Sequence, residues 1–284
     1  MGVLGGIAGW PVGVAAAAVV GPDGILDAIG PVDQVFPLAS VTKPLAALAF
    51  LVAVEEGAIE LDEPAGPPGA TVRHLLAHAS GLAPDQRRTV AEPGSRRIYS
   101  NAGFEVLGDH LAAATGIPFA DYLQEAVAVP LGLSATGLTG SPAHAGHSSV
   151  ADLAHVAGEL LAPRLLAPAT LAQARTVQFP GLTGVLPGYG RQHRNDWGLG
   201  FEIRDHKAPH WTGSRNSPGT FGHFGRSGTF LWVDPEVRLA CVVLTDTEFD
   251  DWAIAAWPPL SDAVLDGYGS RQPHQRQRPG QNDR

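Results

Sequence analysis

The chain has 284 residues, 44% hydrophobic and 17% charged, which sustains a packed core and excludes an intrinsically disordered chain. A net charge of −9 with no Lys/Arg stripe excludes a surface that follows a phosphate backbone. The single cysteine, Cys241, excludes an internal disulfide or cysteine metal cluster; it lies in the apolar run 239–244, as a buried, inert thiol does.

Residues 1–20 are apolar but carry no cation before the apolar stretch and are interrupted by Trp10-Pro11, unlike an export signal. No stretch reads as a membrane span, so the cytoplasm is the expected compartment. Residues 12–20 and 24–29 read as two strands around the turn signal Gly21-Pro22-Asp23-Gly24. Residues 40–56 read as a helix stopped by Gly57; it has almost no polar face, which predicts burial on all sides. Pro44 falls in its first turn, where proline does least harm. The Pro/Gly-rich run 64–70 marks a lobe boundary. Helical signals follow over 71–78, 101–115, 118–127, 149–161 and 168–174, each opening near Thr, Ser, Asn or Pro.

Residues 180–194 read as loop. Runs 197–203, 223–233 and 237–245 alternate or stay apolar as strands do, the last two joined at Asp234-Pro235-Glu236. Residues 250–268 read as a closing helix interrupted by Pro258-Pro259, and 270–284 as a polar, disordered tail. Strands at both ends with helices between predict a mixed α/β (α+β) fold. An antiparallel sheet would be built from both chain ends and flanked by terminal helices, with an inserted all-helical lobe. The boundaries are 1–68 and 188–269 for the α/β lobe and 69–187 for the helical lobe. The seam between lobes favours a ligand site.

Ser40-Val41-Thr42-Lys43 has the spacing S-x-x-K at the start of the buried helix, which places Ser40 and Lys43 on one face. First-turn N–H groups lack intrahelical partners and, with the helix dipole, favour an anion such as an acyl-transfer oxyanion. A lysine in an apolar site prefers to be neutral and then serves as a base for the serine. The chain has only two lysines, Lys43 and Lys207, so a lysine in this helix asks for a specific reason. The plainer reading is a helix-capping serine with a snorkelling lysine. In Tyr99-Ser100-Asn101, a phenol beside a cation loses its proton more easily and can shuttle it. Asn101 either bonds the lysine and a substrate carbonyl or simply caps a helix. Gly222-His223-Phe224-Gly225 opens a strand where glycine permits close approach. His223 is placed to steady Tyr99 or touch substrate, and the Arg226 N–H to supply a second oxyanion donor.

These segments resemble the serine β-lactamase / penicillin-binding-protein-like superfamily, specifically its class C-like esterase branch. The likeness extends to Phe36-Pro37-Leu38-Ala39 before the nucleophile and to Leu75-Leu76-Ala77-His78-Ala79-Ser80-Gly81-Leu82. It includes Pro93-Gly94, Pro130-Leu131-Gly132-Leu133 and Leu231-Trp232-Val233-Asp234-Pro235, covering most of residues 34–245 in family order. The resemblance implies a β-lactamase/transpeptidase-like fold and an acyl-enzyme at Ser40. Lys43 and Tyr99 would relay protons, and the N–H groups of Ser40 and Arg226 would hold the oxyanion. Asn101, His223 and Gly225 would complete the substrate site. No cofactor or metal is implied, and the partner is a small ester or amide, with neither nucleic acid nor membrane.

Two departures matter. His223 stands where drug-destroying members usually carry lysine, and Phe224 where a small hydroxyl residue is common; both weaken capture of a β-lactam carboxylate and favour neutral esters. Arg226 would offset this if it faces the cleft. The leading expectation is a carboxylesterase for small or medium acyl esters. Alternatives are a β-lactamase or D-amino-acid peptidase, an acyltransferase or peptide cyclase, and a silent binding protein. His78 reads as a buried structural histidine, while His193, His206 and His210 read as surface residues without a zinc pattern. Trp197 reads as packing on the cleft wall, and Trp252 and Trp257 as anchors of the last helix. No G-x-S-x-G, P-loop or dinucleotide fingerprint is present in the right context.

Overall fold

The computed structural model describes residues 2–269; the expected tail at 270–284 lies outside them. A 3-10 segment, Val3–Gly9, precedes β1 (Ala15–Gly21), β2 (Gly24–Ile29) and β3 (Phe36–Pro37). A 3-10 turn at Ala39–Val41 runs into α1 (Thr42–Glu55), followed by α2 (Val72–Leu76), α3 (Asn101–Thr115) and α4 (Phe119–Leu123). The helix expected over 118–127 is not one α-helix: α4 passes into a π segment, Gln124–Ala128, and then α5 (Val129–Leu131). Next come β4 (Gly137–Leu138), β5 (Gly146–Ser148), α6 (Val150–Leu161) and α7 (Pro168–Ala174). The chain then forms β6 (Gly184–Leu186), β7 (Gly190–Gln192), β8 (Glu202–Ile203), β9 (Phe221–Gly225), β10 (Thr229–Asp234), β11 (Leu239–Thr245) and α8 (Asp251–Tyr268).

The main sheet has the order β2-β1-β11-β10-β9-β8, antiparallel throughout, so strands from both chain ends do meet in one sheet. Successive side chains alternate between its faces. Ala16, Ala18 and Val20 of β1 and Val242 and Leu244 of β11 join the core that encloses α1. Their neighbours Ala17, Val19, Cys241 and Val243 face a second core with α8 and the 3-10 segment. Both faces are covered, which is why these strands read as unbroken apolar runs. Helix α1 is buried from Thr42 to Leu51, with α3 and α4 packed against it and β9 nearby. Helix α6, capped by Ser149, lies across β1, β10 and β11 although it comes from mid-chain.

The fold differs from the expected pattern in four further places. The run 223–233 is not one strand: it folds back at Arg226-Ser227-Gly228, with Gly225 opposite Thr229. Gly228 adopts φ 73°, and a Cβ there would lie 2.0 Å from Thr247 O. Residues 197–203 do not form a continuous strand either; Gly198 N–H donates to Phe201 O (2.9 Å), closing a turn, and Trp197 meets Glu202 as an isolated bridge. The expected loop 180–194 contains the hairpin β6–β7. Helix α8 runs unbroken through Pro258 and Pro259. The carbonyls that lose their partners belong to the half-buried Ile254 and the exposed Ala255.

His210 also departs from the expectation. It is buried, not on the surface, because Glu202 is buried with it. The Glu202 carboxylate takes Lys207 Nζ at 2.7 Å, His210 Nε2 at 3.0 Å and the Trp211 indole N–H. His193 and His206 are exposed as expected. Both lysines of the chain are therefore interior. No group of three metal-ligating side chains occurs among the described residues, and no described helix is long and apolar enough to cross a membrane.

Candidate active site

Ser40 sits at the seam between the sheet and the helices. The residue before it, Ala39, holds φ 45°, a conformation that costs an alanine energy and that its surroundings must enforce. Thr42 Oγ1 donates to Ala39 O (2.7 Å) and accepts from Gly146 N–H (2.9 Å). On the other side, Thr229 Oγ1 donates to Leu38 O (2.9 Å) and Ser227 Oγ to Pro37 O (2.8 Å). The nucleophile turn is thus clamped between β5 and the β9–β10 turn.

Lys43 is fully buried one helical turn on. Its amine donates to Asn101 Oδ1 at 2.7 Å and Ala143 O at 2.9 Å. It lies 2.6 Å from Tyr99 OH and 3.4 Å from Ser40 Oγ. Tyr99 OH is in turn 2.7 Å from Ser40 Oγ. Asn101 Oδ1 and Ala143 O only accept hydrogen bonds, whereas the two hydroxyls can do either. The set suits an ammonium donating to all three oxygens and equally a neutral amine, with two N–H groups on the acceptors and the lone pair toward the phenol. Burial drives the Lys43 amine well below its ordinary value, against the upward pull of Asp85 and Glu105. The short path from Ser40 to Lys43 runs through Tyr99.

The electrostatics correct one expectation. Tyr99 is not poised to ionise, because burial raises the phenol, its bond to Ser40 offsets this only in part, and Asp85 raises it further. The burial that lowers the Lys43 amine also weakens the help it can give a phenolate. Tyr99 therefore stands as a phenol that passes protons on.

The Tyr99 segment is held by a residue that nothing in the sequence marks. Arg97 is buried and donates to Ala77 O (2.5 Å), Gln178 O (2.8 Å) and Asn195 O (2.9 Å). Its N–H donates to Thr183 O (2.8 Å). Asp85 is equally silent in the sequence; it accepts from Asn101 Nδ2 at 2.8 Å and so orients Asn101 Oδ1 toward Lys43. Asn101 also begins α3, but the cap is Ser100, whose Oγ accepts from Gly103 N–H. His78 is buried, its Nδ1 accepting from Ser100 N–H at 3.1 Å and its ring against Tyr99.

His223 is buried with its ring 5.7 Å from that of Tyr99. It touches Tyr99 by packing, not by a hydrogen bond: Nδ1–H donates to its neighbour's carbonyl, Phe224 O, at 2.6 Å. Burial above all lowers it to about 3, and burial likewise holds His78 well below its usual value. The site thus carries no cationic histidine near neutral pH. Phe224 points to the opposite face, into the second core with Phe249 and Trp257. The Arg226 side chain is 83% exposed, with Nε 3.5 Å from Glu248 Oε2 in solvent.

Gly225 lies where no side chain fits. A Cβ there would stand 2.3 Å from Leu38 O, 2.5 Å from Thr229 Oγ1 and 3.2 Å from Ser40 N. Gly225→Ala must push β9 off the nucleophile turn. It is expected to lower kcat/KM about a hundredfold and stability by about 1–3 kcal/mol. Steady-state kinetics and urea unfolding check both; unchanged values would contradict the close contact.

The family model described as beta-lactamase matches residues 8–261. The chain belongs to the beta-lactamase family. This is a family of serine hydrolases, and its fold agrees with the sheet and helices above. A solved structure described as a beta-lactamase (Mb2281c) from Mycobacterium bovis is 58% identical, with TM-score 0.94, covering 94% of this chain and 100% of that one. Esterase EstB from Burkholderia gladioli is 26% identical over 82% of each chain. The D-alanyl-D-alanine-carboxypeptidase/endopeptidase AmpH of Escherichia coli K12 is 29% identical over 39% of this chain. The match spans 38% of AmpH's own length.

Proposed function

We propose that the protein is a carboxylesterase that forms an acyl-enzyme at Ser40 on small or medium acyl esters. The observation that carries this reading is the Ser40–Tyr99–Lys43 chain of 2.7 and 2.6 Å contacts, ending on a fully buried amine that burial pushes well below its ordinary value. Ser40 Oγ attacks the ester carbonyl, its proton passing through Tyr99 to Lys43. The N–H groups of Ser40 and Arg226 receive the oxyanion. The proton returns through Tyr99 to the departing alkoxide as the carbonyl–oxygen bond breaks. Water then attacks the acyl-enzyme by the same relay and frees Ser40. Preference for neutral acyl groups rests on uncharged His223, Phe224 turned into the core, and Arg226 standing in solvent.

Likeness to a protein described as a beta-lactamase favours a second reading, hydrolysis of β-lactams, within the same acyl-enzyme chemistry. Parallel turnover of p-nitrophenyl butyrate and benzylpenicillin separates the two. Ester hydrolysis at least a hundredfold faster supports the first; rapid penicillin hydrolysis with little ester turnover overturns it.

The same site sets a pH dependence. Acylation needs neutral Lys43, so activity is full above the lowered Lys43 value and falls as pH drops through it. His223 stays neutral down to about pH 3 and Tyr99 stays protonated well into the alkaline range. The log of kcat/KM is expected to show one acid limb of unit slope and no alkaline limb while the fold persists. A bell-shaped profile centred near neutrality would refute this assignment.

A further inference from the structure

A cavity of about 640 Å³ opens beside Tyr99, and three arginines line it: Arg97, committed to backbone carbonyls, and the exposed Arg96 and Arg191. Ile98 and Pro187 give it apolar walls, and so does Val185, a large apolar side chain left 59% exposed. Val185 and Arg191 are directly paired across the β6–β7 hairpin and therefore share one face. That hairpin is fixed to the Tyr99 segment. Thr183 O accepts from Arg97 N–H, and Gly184 packs so tightly that a Cβ would lie 2.8 Å from Arg97 O.

Arginines without a carboxylate partner occur elsewhere among the described residues, Arg88, Arg175 and Arg238 for example; what sets Arg96 and Arg191 apart is that they line the cavity beside Tyr99. Arg87, Arg194, Arg215 and Arg226 each lie beside a carboxylate. Among the described residues, Arg96 bonds only Val90 O, at 3.1 Å, and Arg191 has no acidic partner. Asp85, next to Pro84 of the cavity wall, is committed to Asn101. An apolar pocket with two uncompensated guanidinium groups suits an amphiphilic anion.

Its position says which half of the substrate enters. Tyr99 hands the proton to the departing oxygen, so the leaving alcohol belongs on the Tyr99 side. We infer that this pocket receives the alcohol half of the ester and that this half carries a carboxylate or phosphate held by Arg96 and Arg191. The inference rests on the esterase reading and extends it from a neutral acyl group to an anionic alcohol.

The test uses 4-(butyryloxy)phenylacetate, the matching phenylacetamide, and 4-(butyryloxy)benzyl phosphate, which share the acyl group and a phenolic leaving oxygen. The expected kcat/KM advantage of an anionic ester over the amide is about ten- to hundredfold. The preferred member of the two anionic esters tells carboxylate from phosphate. Arg96→Gln and Arg191→Gln should each shrink the ratio, the double variant should bring it near one, and added salt should weaken it. A ratio near one in the unaltered protein, or a ratio indifferent to the double variant, overturns the inference while leaving the esterase reading intact. If no ester is turned over, calorimetric binding of the three corresponding phenols to the Ser40→Ala protein decides the pocket alone. Tighter binding of an anionic phenol than of the amide supports it, and equal binding refutes it.

Discussion

Lys43→Met is expected to slow acylation by about three to four orders of magnitude. The reason is the fully buried amine at the end of the proton path, 2.6 Å from Tyr99 OH and held in place by Asn101 Oδ1 and Ala143 O. Methionine fills the same space without a lone pair able to take the proton. Arginine does not rescue it, because a guanidinium cannot be deprotonated in a protein. Tyr99→Phe cuts the same path one step earlier, so the two losses are far from additive. The double variant should be scarcely slower than the worse single one. Single-turnover release of p-nitrophenol measures these rates; a Lys43→Met rate within tenfold of the unaltered protein would show that the proton goes elsewhere.

Glu202→Gln is expected to cost about 3–5 kcal/mol of stability, the penalty of stranding a buried charge. The Lys207 and Glu202 side chains are each about 1% exposed, and among the described residues only this carboxylate pairs the Lys207 amine; its other partners, Asp196 O and Ile203 O, are carbonyls. Burial alone would raise the Glu202 carboxyl, but Lys207 and His210 hold it below its ordinary range. Its contribution is thus present above the unfolded value, about 4.3, and is lost as pH falls below it. The burial-lowered His210 and His223 add to this: unfolding takes up protons as pH drops below about 6.5, so acid destabilises the fold. Glu202 lies on β8, which pairs with the β9 segment carrying His223 and Gly225. Urea titration checks the loss, and a change below 1 kcal/mol would contradict the account.

Much of this was written locally in the chain. The all-apolar face of α1 predicted its burial, and the bounds of α3 and α7 coincide with the expected 101–115 and 168–174. The nucleophile spacing, Tyr99 and Asn101 converge on Lys43 as the motifs implied. What stayed hidden depends on contacts distant in sequence. Arg97 looks like a surface arginine until the carbonyls of residues 77, 178 and 195 are gathered round it. The Ala143 carbonyl has no side-chain signature at all. His210 reads as solvent-facing because nothing local announces the buried Glu202. The turn at Gly228 was masked by apolar residues on both sides, and the raised Tyr99 phenol by a neighbouring lysine that burial itself lowers.

The central claim is an acyl-enzyme on Ser40, and intact-protein mass after brief exposure to p-nitrophenyl butyrate tests it most directly. The account predicts a single butyryl adduct, mapped to the peptide containing Ser40, or rapid p-nitrophenol release if deacylation outpaces trapping. Both should be absent in Ser40→Ala. Turnover or an adduct that persists in Ser40→Ala would contradict it.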